Sequence, residues 1–206
     1  MRHRLIVATA LVIAVAVYFL VQPAGEEYFA FNGSTMGTSY SVKAGPVPVE
    51  GDPESLQGAV EARLDEIVAI FSTWEPDSEL TLLNANPSTE WIEISPELLA
   101  VLQEARRIGE LTDGAFDVTV GPLVNLWGFG PEMGEDDIPP EAEIEAARER
   151  VGFDLLEFRQ DPPAARKARG DVVIDLSAIA KGYAVDQLAA LLTEARALNY
   201  LVEIGG

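Results

Sequence analysis

The chain has 206 residues and a formal net charge of −20, from 34 acidic residues against 14 lysines and arginines. Binding to a phosphate backbone needs a basic surface, so this composition excludes nucleic acid as an expected partner. There is no cysteine, and the single histidine is His3, which excludes disulfides, Ser-His and Cys-His triads and imidazole-bound zinc from the region after it. Any metal is therefore expected to be a hard cation held by oxygen ligands, such as Mg²⁺ or Ca²⁺.

An apolar segment precedes the predicted domain. Arg2 and Arg4 come before an uncharged run from Leu5 to Val21, which ends at Gln22-Pro23. The run is intermediate in length between a signal-peptide core and a spanning helix, and no Ala-x-Ala cleavage site follows it. It predicts an uncleaved signal-anchor over residues 1–25, with residues 26–206 as a periplasmic domain on the extracytoplasmic side of the inner membrane. Cleaved secretion is the alternative.

The first predicted elements are two strands, Tyr28–Asn32 and Thr38–Lys43, joined as a hairpin through Gly33 to Gly37. A loop rich in Pro and Gly then leads to an amphipathic helix that ends at Phe71. Trp74 lies in the polar turn after this helix. On burial preference alone, its ring is more often a core residue than a ligand contact.

The middle of the chain predicts a helical turn at Leu80–Leu83 and a short strand at Trp91–Ile94. Ser95-Pro96 then supplies an N-cap and a first-turn proline for a helix that reaches about Leu111. An acidic exposed loop follows further along, and Pro140 begins another helix, which extends to Arg150.

Two more strands, Leu155–Arg159 and Asp171–Asp175, are predicted to pair antiparallel. A helix follows Gly182, and Tyr200–Ile204 is the last strand. Strands and helices mix without regular βαβ alternation, so the predicted fold class is α+β, with a mixed, largely antiparallel sheet and packed helices.

The stretch from Thr112 to Gly128 follows neither the helix nor the strand pattern, because glycines and a proline interrupt its apolar residues. Gly114-Ala115-Phe116-Asp117 sets a glycine beside a ring and an acid, which would let the backbone approach a ligand. A tight turn between two core elements is an equally good interpretation.

Asp175 and Lys181 flank the predicted start of a helix, and Lys181 is one of only three lysines in the chain. Free backbone N–H groups and a lysine in the first turn suit an anionic ligand. The glycine spacing is not that of a phosphate-binding P-loop. The alternative is an ordinary helix capped by Ser177, with the Lys181 stem lying along the surface.

Four short blocks follow one another along the chain: Ser34–Thr38, Ser72–Glu79, Thr112–Gly128 and Asp175–Gly182. In their order and character they resemble the ApbE family of FAD:protein FMN transferases. The resemblance implies an enzyme that binds FAD with Mg²⁺ and transfers FMN to a Thr or Ser hydroxyl of an acceptor protein, with release of AMP. It further implies an acceptor sequence of the type Asp-x-x-(Ser/Thr)-Gly-Ala-(Ser/Thr).

Carried over residue by residue, the resemblance implies flavin contacts at Met36 and Trp74. Trp74 stands where the family often has Tyr, an exchange that keeps ring stacking and loses a phenol hydrogen bond. Ala178 would offer a backbone carbonyl to Mg²⁺, and the catalytic residues are not identified. The further implied FAD contacts are Ala115, Phe116, Asp117, Asp175 and Lys181.

The chain departs from the family pattern at Gly205-Gly206, where the family continues into a second half with a His-containing flavin contact and a metal-binding segment. The expectation is a fold whose C-terminal portion is missing, a fragment of an active enzyme, since the chain stops after a strand that looks buried. A flavin-binding remnant without turnover is one alternative. An FAD pyrophosphatase of the same family, with water as acceptor, is another.

Overall fold

The structure is a computed structural model that describes residues 28–45, 53–131 and 138–206. The predicted signal-anchor lies outside the described residues, as do most of the loop before the first helix and part of the acidic loop. In the described part of the chain, no helix combines the length and the apolar character needed to cross a bilayer.

A three-stranded antiparallel sheet contains β1 (Phe29–Thr35), β2 (Thr38–Gly45) and β6 (Asn199–Ile204), in the order β1-β2-β6. The predicted hairpin is confirmed, but its turn has two residues, Met36 and Gly37. Their φ angles are 49° and 71°. Positive φ at both positions matches the twist of a tight hairpin, so the strands extend to Thr35 and Thr38.

The last strand forms an exposed sheet edge in the described part of the chain. β6 lies at an edge of this sheet, and the side chain of Leu201 is 62% exposed. Its apolar sequence suggested burial, but only one face of β6 packs on the protein, where Val202 and Ile204 contact the core.

The second antiparallel sheet contains β3 (Ile92–Glu93), β5 (Pro163–Lys167) and β4 (Leu156–Gln160), in the order β3-β5-β4. The predicted pairing of Leu155–Arg159 with Asp171–Asp175 is wrong. β4 pairs with β5 because the turn at Asp161-Pro162 reverses the chain at once, and Phe158 lies opposite Ala165. Residues 172–176 form neither helix nor strand and pair with no strand among the described residues.

Six α-helices are described, and the predicted start of the third at Ser95-Pro96 is confirmed. Ser78 and Ser95 each accept a hydrogen bond from the backbone N–H three residues later, at Thr81 and Leu98. Short 3₁₀ turns lie at Val118–Val120 and Phe153–Leu155. The helices are α1 (Pro53–Phe71), α2 (Glu79–Ala85), α3 (Pro96–Leu111), α4 (Gly121–Leu126), α5 (Glu141–Arg148) and α6 (Ala180–Glu194).

The core forms where α1 and α6 pack against the first sheet, while α3 packs against α1 and against β4 and β5 of the second sheet. Leu64, Leu98 and Leu188 contribute side chains that are at most 2% exposed, and Val42 of β2 is fully buried. Truncating one such leucine to alanine would cost about 2–5 kcal/mol. This core fixes the ends of α1 and α6 beside the β1–β2 turn, and it confirms the α+β class.

Candidate functional site

A cleft of about 510 Å³ opens where the β1–β2 turn, the end of α1 and the first turn of α6 meet. Apolar groups form most of its surface, from α1, the β1–β2 turn, Trp74 and Ala180, and a smaller part is polar or charged. We call it the Trp74 cleft. Its lining residues are Met36, Gly37, Ile67, Val68, Phe71, Ser72, Thr73, Trp74, Glu75, Ser177, Ala180 and Lys181.

Trp74 lies on a loop that is fixed by its own hydrogen bonds. The Ser72 hydroxyl oxygen accepts from the backbone N–H groups of Trp74 and Glu75, at 3.0 Å each, and Ser78 Oγ donates to the Ser72 carbonyl. The indole is nevertheless 60% exposed, so the interpretation of Trp74 as a core residue is wrong. A large ring held in the open beside an apolar cleft is suited to stacking on a planar ligand.

Lys181 reaches the same cleft from the first turn of α6. Its stem passes Gly205, where an added Cβ would lie only 3.3 Å from Lys181 Cδ. Within the described residues its ammonium group makes no hydrogen bond or salt bridge. The cleft therefore contains an ammonium group that no described residue pairs with, and the Glu75 carboxylate lies in the same lining.

Ser177 does not cap α6, so the alternative prediction of an ordinary helix capped by Ser177 is wrong. The N-cap position is occupied by Ile179, which makes no side-chain cap bond. The backbone N–H of Ser177 instead donates to Asp175 Oδ1 at 2.7 Å. Asp175 thus closes the turn that brings Ser177 to the cleft lining.

Ala178 is exposed, and no hydrogen bond among the described residues ends on its carbonyl oxygen. A free backbone carbonyl is a hard oxygen donor of the kind that Mg²⁺ accepts, so Ala178 fits its predicted role chemically. One carbonyl does not complete a site. The described residues contain no group of three or more His, Cys, Asp or Glu side chains able to hold a metal.

The other predicted FAD contacts, Ala115, Phe116 and Asp117, do not line the Trp74 cleft. Ala115 is exposed, Phe116 packs against the core, and Asp117 lines a separate depression of about 490 Å³ together with Arg106. Asp117 Oδ1 accepts from both the backbone N–H and the hydroxyl of Thr119, at 2.8 and 2.7 Å. Their contact with FAD stays a prediction.

The Thr112–Gly128 stretch, which contains these residues, also forms a tight turn, as the alternative interpretation of its sequence predicted. Asp113 and Gly114 have φ angles of 52° and 78° at the end of α3. Further on, an added Cβ at Gly121 would lie 2.6 Å from the Val173 carbonyl oxygen, and Asp175 N–H donates to Val118 O at 2.8 Å. The stretch is therefore packed against the segment that leads to Asp175.

Sequence reasoning missed Lys167. It pointed to Lys181 as the lysine in apolar surroundings, but Lys167 is the lysine that is fully buried. Its ammonium donates to the carbonyls of Leu83, Asn84 and Gly170, at 3.1–3.2 Å, and burial lowers its pKa. No simple alternation identifies it, because β5 buries Ala164 as well as Ala165 and Lys167.

A network behind the cleft joins three helices. Arg63 of α1 donates to Glu97 of α3 at 2.7 Å and to Gln187 of α6 at 2.9 Å. Tyr183 packs edge-on against Phe71, with ring centroids 5.2 Å apart. Burial and the Glu97 carboxylate raise the pKa of Tyr183. These contacts hold the cleft side of α6 against α1.

Comparison with known proteins gives consistent matches. A model of the ApbE family matches residues 36–206. The FAD:protein FMN transferase of Vibrio cholerae is 42% identical over 180 residues, which cover 87% of this chain and 53% of that protein. The FAD:protein FMN transferase of Escherichia coli K12 is 35% identical over 182 residues, covering 87% and 52%. The chain thus spans about half the length of these curated relatives.

Solved structures match as well. The flavin transferase ApbE of Vibrio cholerae superposes with a TM-score of 0.84 at 41% identity, covering 88% of this chain and 58% of that one. The Pseudomonas stutzeri flavinyl transferase ApbE, in its apo form, has a TM-score of 0.83 at 34% identity, covering 90% and 61%.

Proposed function

This chain belongs to the ApbE family, and on that premise we propose that the Trp74 cleft binds FAD and that the protein acts as an FAD:protein FMN transferase. The proposal rests on one observation, the two-part chemistry of the cleft. An exposed indole and apolar side chains lie in the same cleft as an unpaired ammonium group. FAD has the same two parts, a planar apolar ring system and an anionic pyrophosphate.

Each group in the cleft then has a specific role. Trp74 stacks on the flavin ring, and Met36 contacts it from the β1–β2 turn. The Lys181 ammonium offsets charge on the pyrophosphate, where charge compensation is the main requirement of phosphoryl-type transfer. Its availability for this role follows from its having no partner in the described part of the chain.

The remaining predicted contacts lie around the same segment. Asp175 closes the turn before Lys181, and Ala115, Phe116 and Asp117 are proposed to contact the cofactor from the neighbouring stretch. The Ala178 carbonyl would help to hold Mg²⁺, which supplies further charge compensation at the pyrophosphate.

In the proposed reaction, a Thr or Ser hydroxyl of the acceptor protein attacks the phosphorus on the FMN side of FAD. A phosphoester bond forms between that oxygen and FMN, and the bond from the phosphorus to the bridging oxygen breaks. AMP leaves with the bridging oxygen, and the hydroxyl proton passes to solvent. Lys181 stabilises the charge that develops on the leaving phosphate.

We propose that this chemistry takes place outside the cytoplasm. The support is the sequence pattern of residues 1–25, in which arginines precede an apolar run. Fusing alkaline phosphatase after residue 206 and measuring its activity in intact cells tests this location, since that enzyme is active only after export. An inactive fusion that is present at normal levels contradicts it.

The activity is tested by incubating the full-length protein with FAD, Mg²⁺ and an acceptor that contains the Asp-x-x-(Ser/Thr)-Gly-Ala-(Ser/Thr) sequence. We expect covalent flavin on the acceptor and release of an equal amount of AMP. An acceptor with alanine at the target hydroxyl is the control. Absence of both products contradicts the proposal, and FMN released without acceptor indicates FAD hydrolysis instead.

A further inference from the structure

The segment that precedes α6 is buried but belongs to no sheet. Val172, Ile174 and Leu176 are fully buried, yet residues 172–176 pair with no strand in the described ranges. Buried backbone N–H and C=O groups need partners, because leaving one unpaired costs free energy comparable to a lost hydrogen bond. The partners of this segment are therefore the groups that determine its position.

Asn84, in the last turn of α2, supplies two of these partners. Its Nδ2 donates to the Ile174 carbonyl and its Oδ1 accepts from the Ile174 N–H, each at 2.8 Å. One side-chain amide thus replaces the two-bond exchange that a neighbouring strand would make with one residue.

Lys167 fixes the other end of the segment to the same helix end. Its three ammonium donors meet three carbonyls, those of Leu83, Asn84 and Gly170. The first two belong to the last turn of α2, where helical carbonyls have no intrahelical partner. The third holds the turn at Gly170, where an added Cβ would clash with the carbonyl oxygen of Pro87.

The two ends of α2 therefore support the two sides of the Trp74 cleft. At its N-terminal end, the hydroxyl of Ser78 caps the helix and also braces the Trp74 loop through the Ser72 carbonyl. At its C-terminal end, Asn84 and Lys167 hold the segment that continues into Asp175.

We propose that Asn84 and Lys167 are positioning residues that set the Asp175–Lys181 turn at a fixed distance from Trp74. The inference rests on the proposed function, because that distance matters only if one ligand spans both sides of the cleft. Asn84 and Lys167 act through the backbone behind the cleft and contact no ligand.

The effect on the ligand is consequently specific to one half of FAD. Displacing the Asp175–Lys181 turn weakens contacts with the pyrophosphate, while the Trp74 loop, braced by Ser72 and Ser78, keeps its contacts with the flavin ring. Riboflavin has the ring without any phosphate, so it reports on the second set of contacts alone.

The test uses Asn84→Leu and Lys167→Met in the full-length protein. Asn84→Leu removes both bonds to Ile174 at similar volume, and Lys167→Met removes the ammonium but keeps most of the stem. We expect both variants to bind FAD about tenfold more weakly and riboflavin within about twofold of the parent. Amide hydrogen exchange at Ser177–Lys181 should be faster in both, since the turn loses its support.

Two further variants keep the test decisive. Asn86→Ala removes a bond to Ser88 N–H at the same helix end, does not touch the segment before α6, and should leave FAD binding and exchange unchanged. Asn84→Asp keeps the acceptor for the Ile174 N–H but places a carboxylate oxygen against the Ile174 carbonyl, so weaker FAD binding is expected from it even if Asn84→Leu does not fold.

The outcomes separate the two proposals. The positioning role is contradicted if the Asn84 and Lys167 variants change neither FAD binding nor amide exchange. It is also contradicted if they weaken FAD and riboflavin binding equally. A parent protein that binds no FAD contradicts the proposed function instead. In that case amide exchange alone tests whether Asn84 and Lys167 hold the turn. Faster exchange at Ser177–Lys181 in the variants supports this role, and unchanged exchange contradicts it.

Discussion

The Trp74 cleft and the Thr112–Gly128 stretch have similar residue chemistry, each with an aromatic ring, ionisable side chains and glycines, yet they use their polar groups in opposite ways. In the cleft, the indole of Trp74 is exposed and the ammonium of Lys181 has no partner among the described residues. In the stretch, Asp117 and Thr112 accept hydrogen bonds from their own neighbours. An acid in a glycine-rich stretch is therefore weak evidence of a ligand until its internal bonds are known.

The difference has a physical origin. Asp117 starts a short 3₁₀ turn, where backbone N–H groups lack partners and a carboxylate two residues earlier satisfies one. Lys181 lies inside the first turn of a longer helix, so its side chain has no backbone bond to make. The cleft is expected to respond to substitution mainly in ligand binding, and the stretch mainly in stability.

The largest expected effect is that of Lys181→Met. We expect the rate of covalent flavin transfer to fall about a hundredfold, as for loss of one charge-stabilising group, with an unchanged melting temperature. Flavin fluorescence on the acceptor and a thermal melt measure the two quantities. Lys43→Met, at an exposed lysine on β2, is the matched control and should keep the full rate. If Lys181→Met lowers the melting temperature as well as the transfer rate, the distinction between the cleft and the stretch is lost.

Gly121→Ala tests the packing of the stretch. The added methyl group would lie 2.6 Å from both Cγ1 and the carbonyl oxygen of Val173, so we expect a loss of about 1–3 kcal/mol in the free energy of unfolding. Urea denaturation measures it.

The matched control for this substitution is Gly58→Ala. Gly58 lies within α1 and has open space around its Cα, so the added methyl should stabilise the protein by up to about 1 kcal/mol. Equal effects of the two substitutions would show that the stretch is loosely packed.

Asp117→Ala is expected to lower the free energy of unfolding by about 1 kcal/mol, because Thr119 loses the acceptor for its N–H. Asp117→Asn retains an oxygen acceptor and should keep most of the stability. Measuring FAD affinity in Asp117→Asn then tests the proposed cofactor contact separately from the structural role. An Asp117→Ala variant as stable as the parent would contradict the internal use of this carboxylate.

The smallest expected effect concerns Tyr183, behind the cleft. Burial and Glu97 raise the pKa of its phenol, while Arg63 opposes the shift, so the folded protein holds this proton more tightly than the unfolded chain does. The resulting stabilisation is fully present below about pH 10, which is the pKa of tyrosine in the unfolded chain. It is lost as the pH rises through the pKa of Tyr183 in the folded protein. In Tyr183→Phe, the free energy of unfolding should fall less steeply above pH 10. Identical pH profiles for the variant and the parent would contradict this.

Local signals predicted much of the fold. Ser95-Pro96 predicted the start of α3 correctly, because a cap and a first-turn proline act on the adjacent backbone alone. The β1–β2 hairpin was predicted for the same reason. Strand pairing was less accessible. Pro163–Lys167 contains small and charged residues and was missed, while Asp171–Asp175 has a strand-like sequence but pairs with no described strand.

The lining of the Trp74 cleft was predicted in part, and its contacts with FAD stay a prediction. The family resemblance identified Met36, Trp74 and Lys181, which line one cleft, but sequence pattern alone favoured a buried Trp74. The exposure of Trp74 depends on the bonds of Ser72 and Ser78, and no periodicity reports these bonds.

By itself, the sequence determined the inventory of chemistry and the order of the elements. It has no cysteine and its only histidine is His3, and its caps and turns act over a few residues, so these conclusions need no knowledge of the fold. Only the tertiary structure decided that Lys167 is the buried lysine and Lys181 the available one. Burial and pairing depend on residues far apart in the chain, since Asn84 reaches Ile174 across ninety positions.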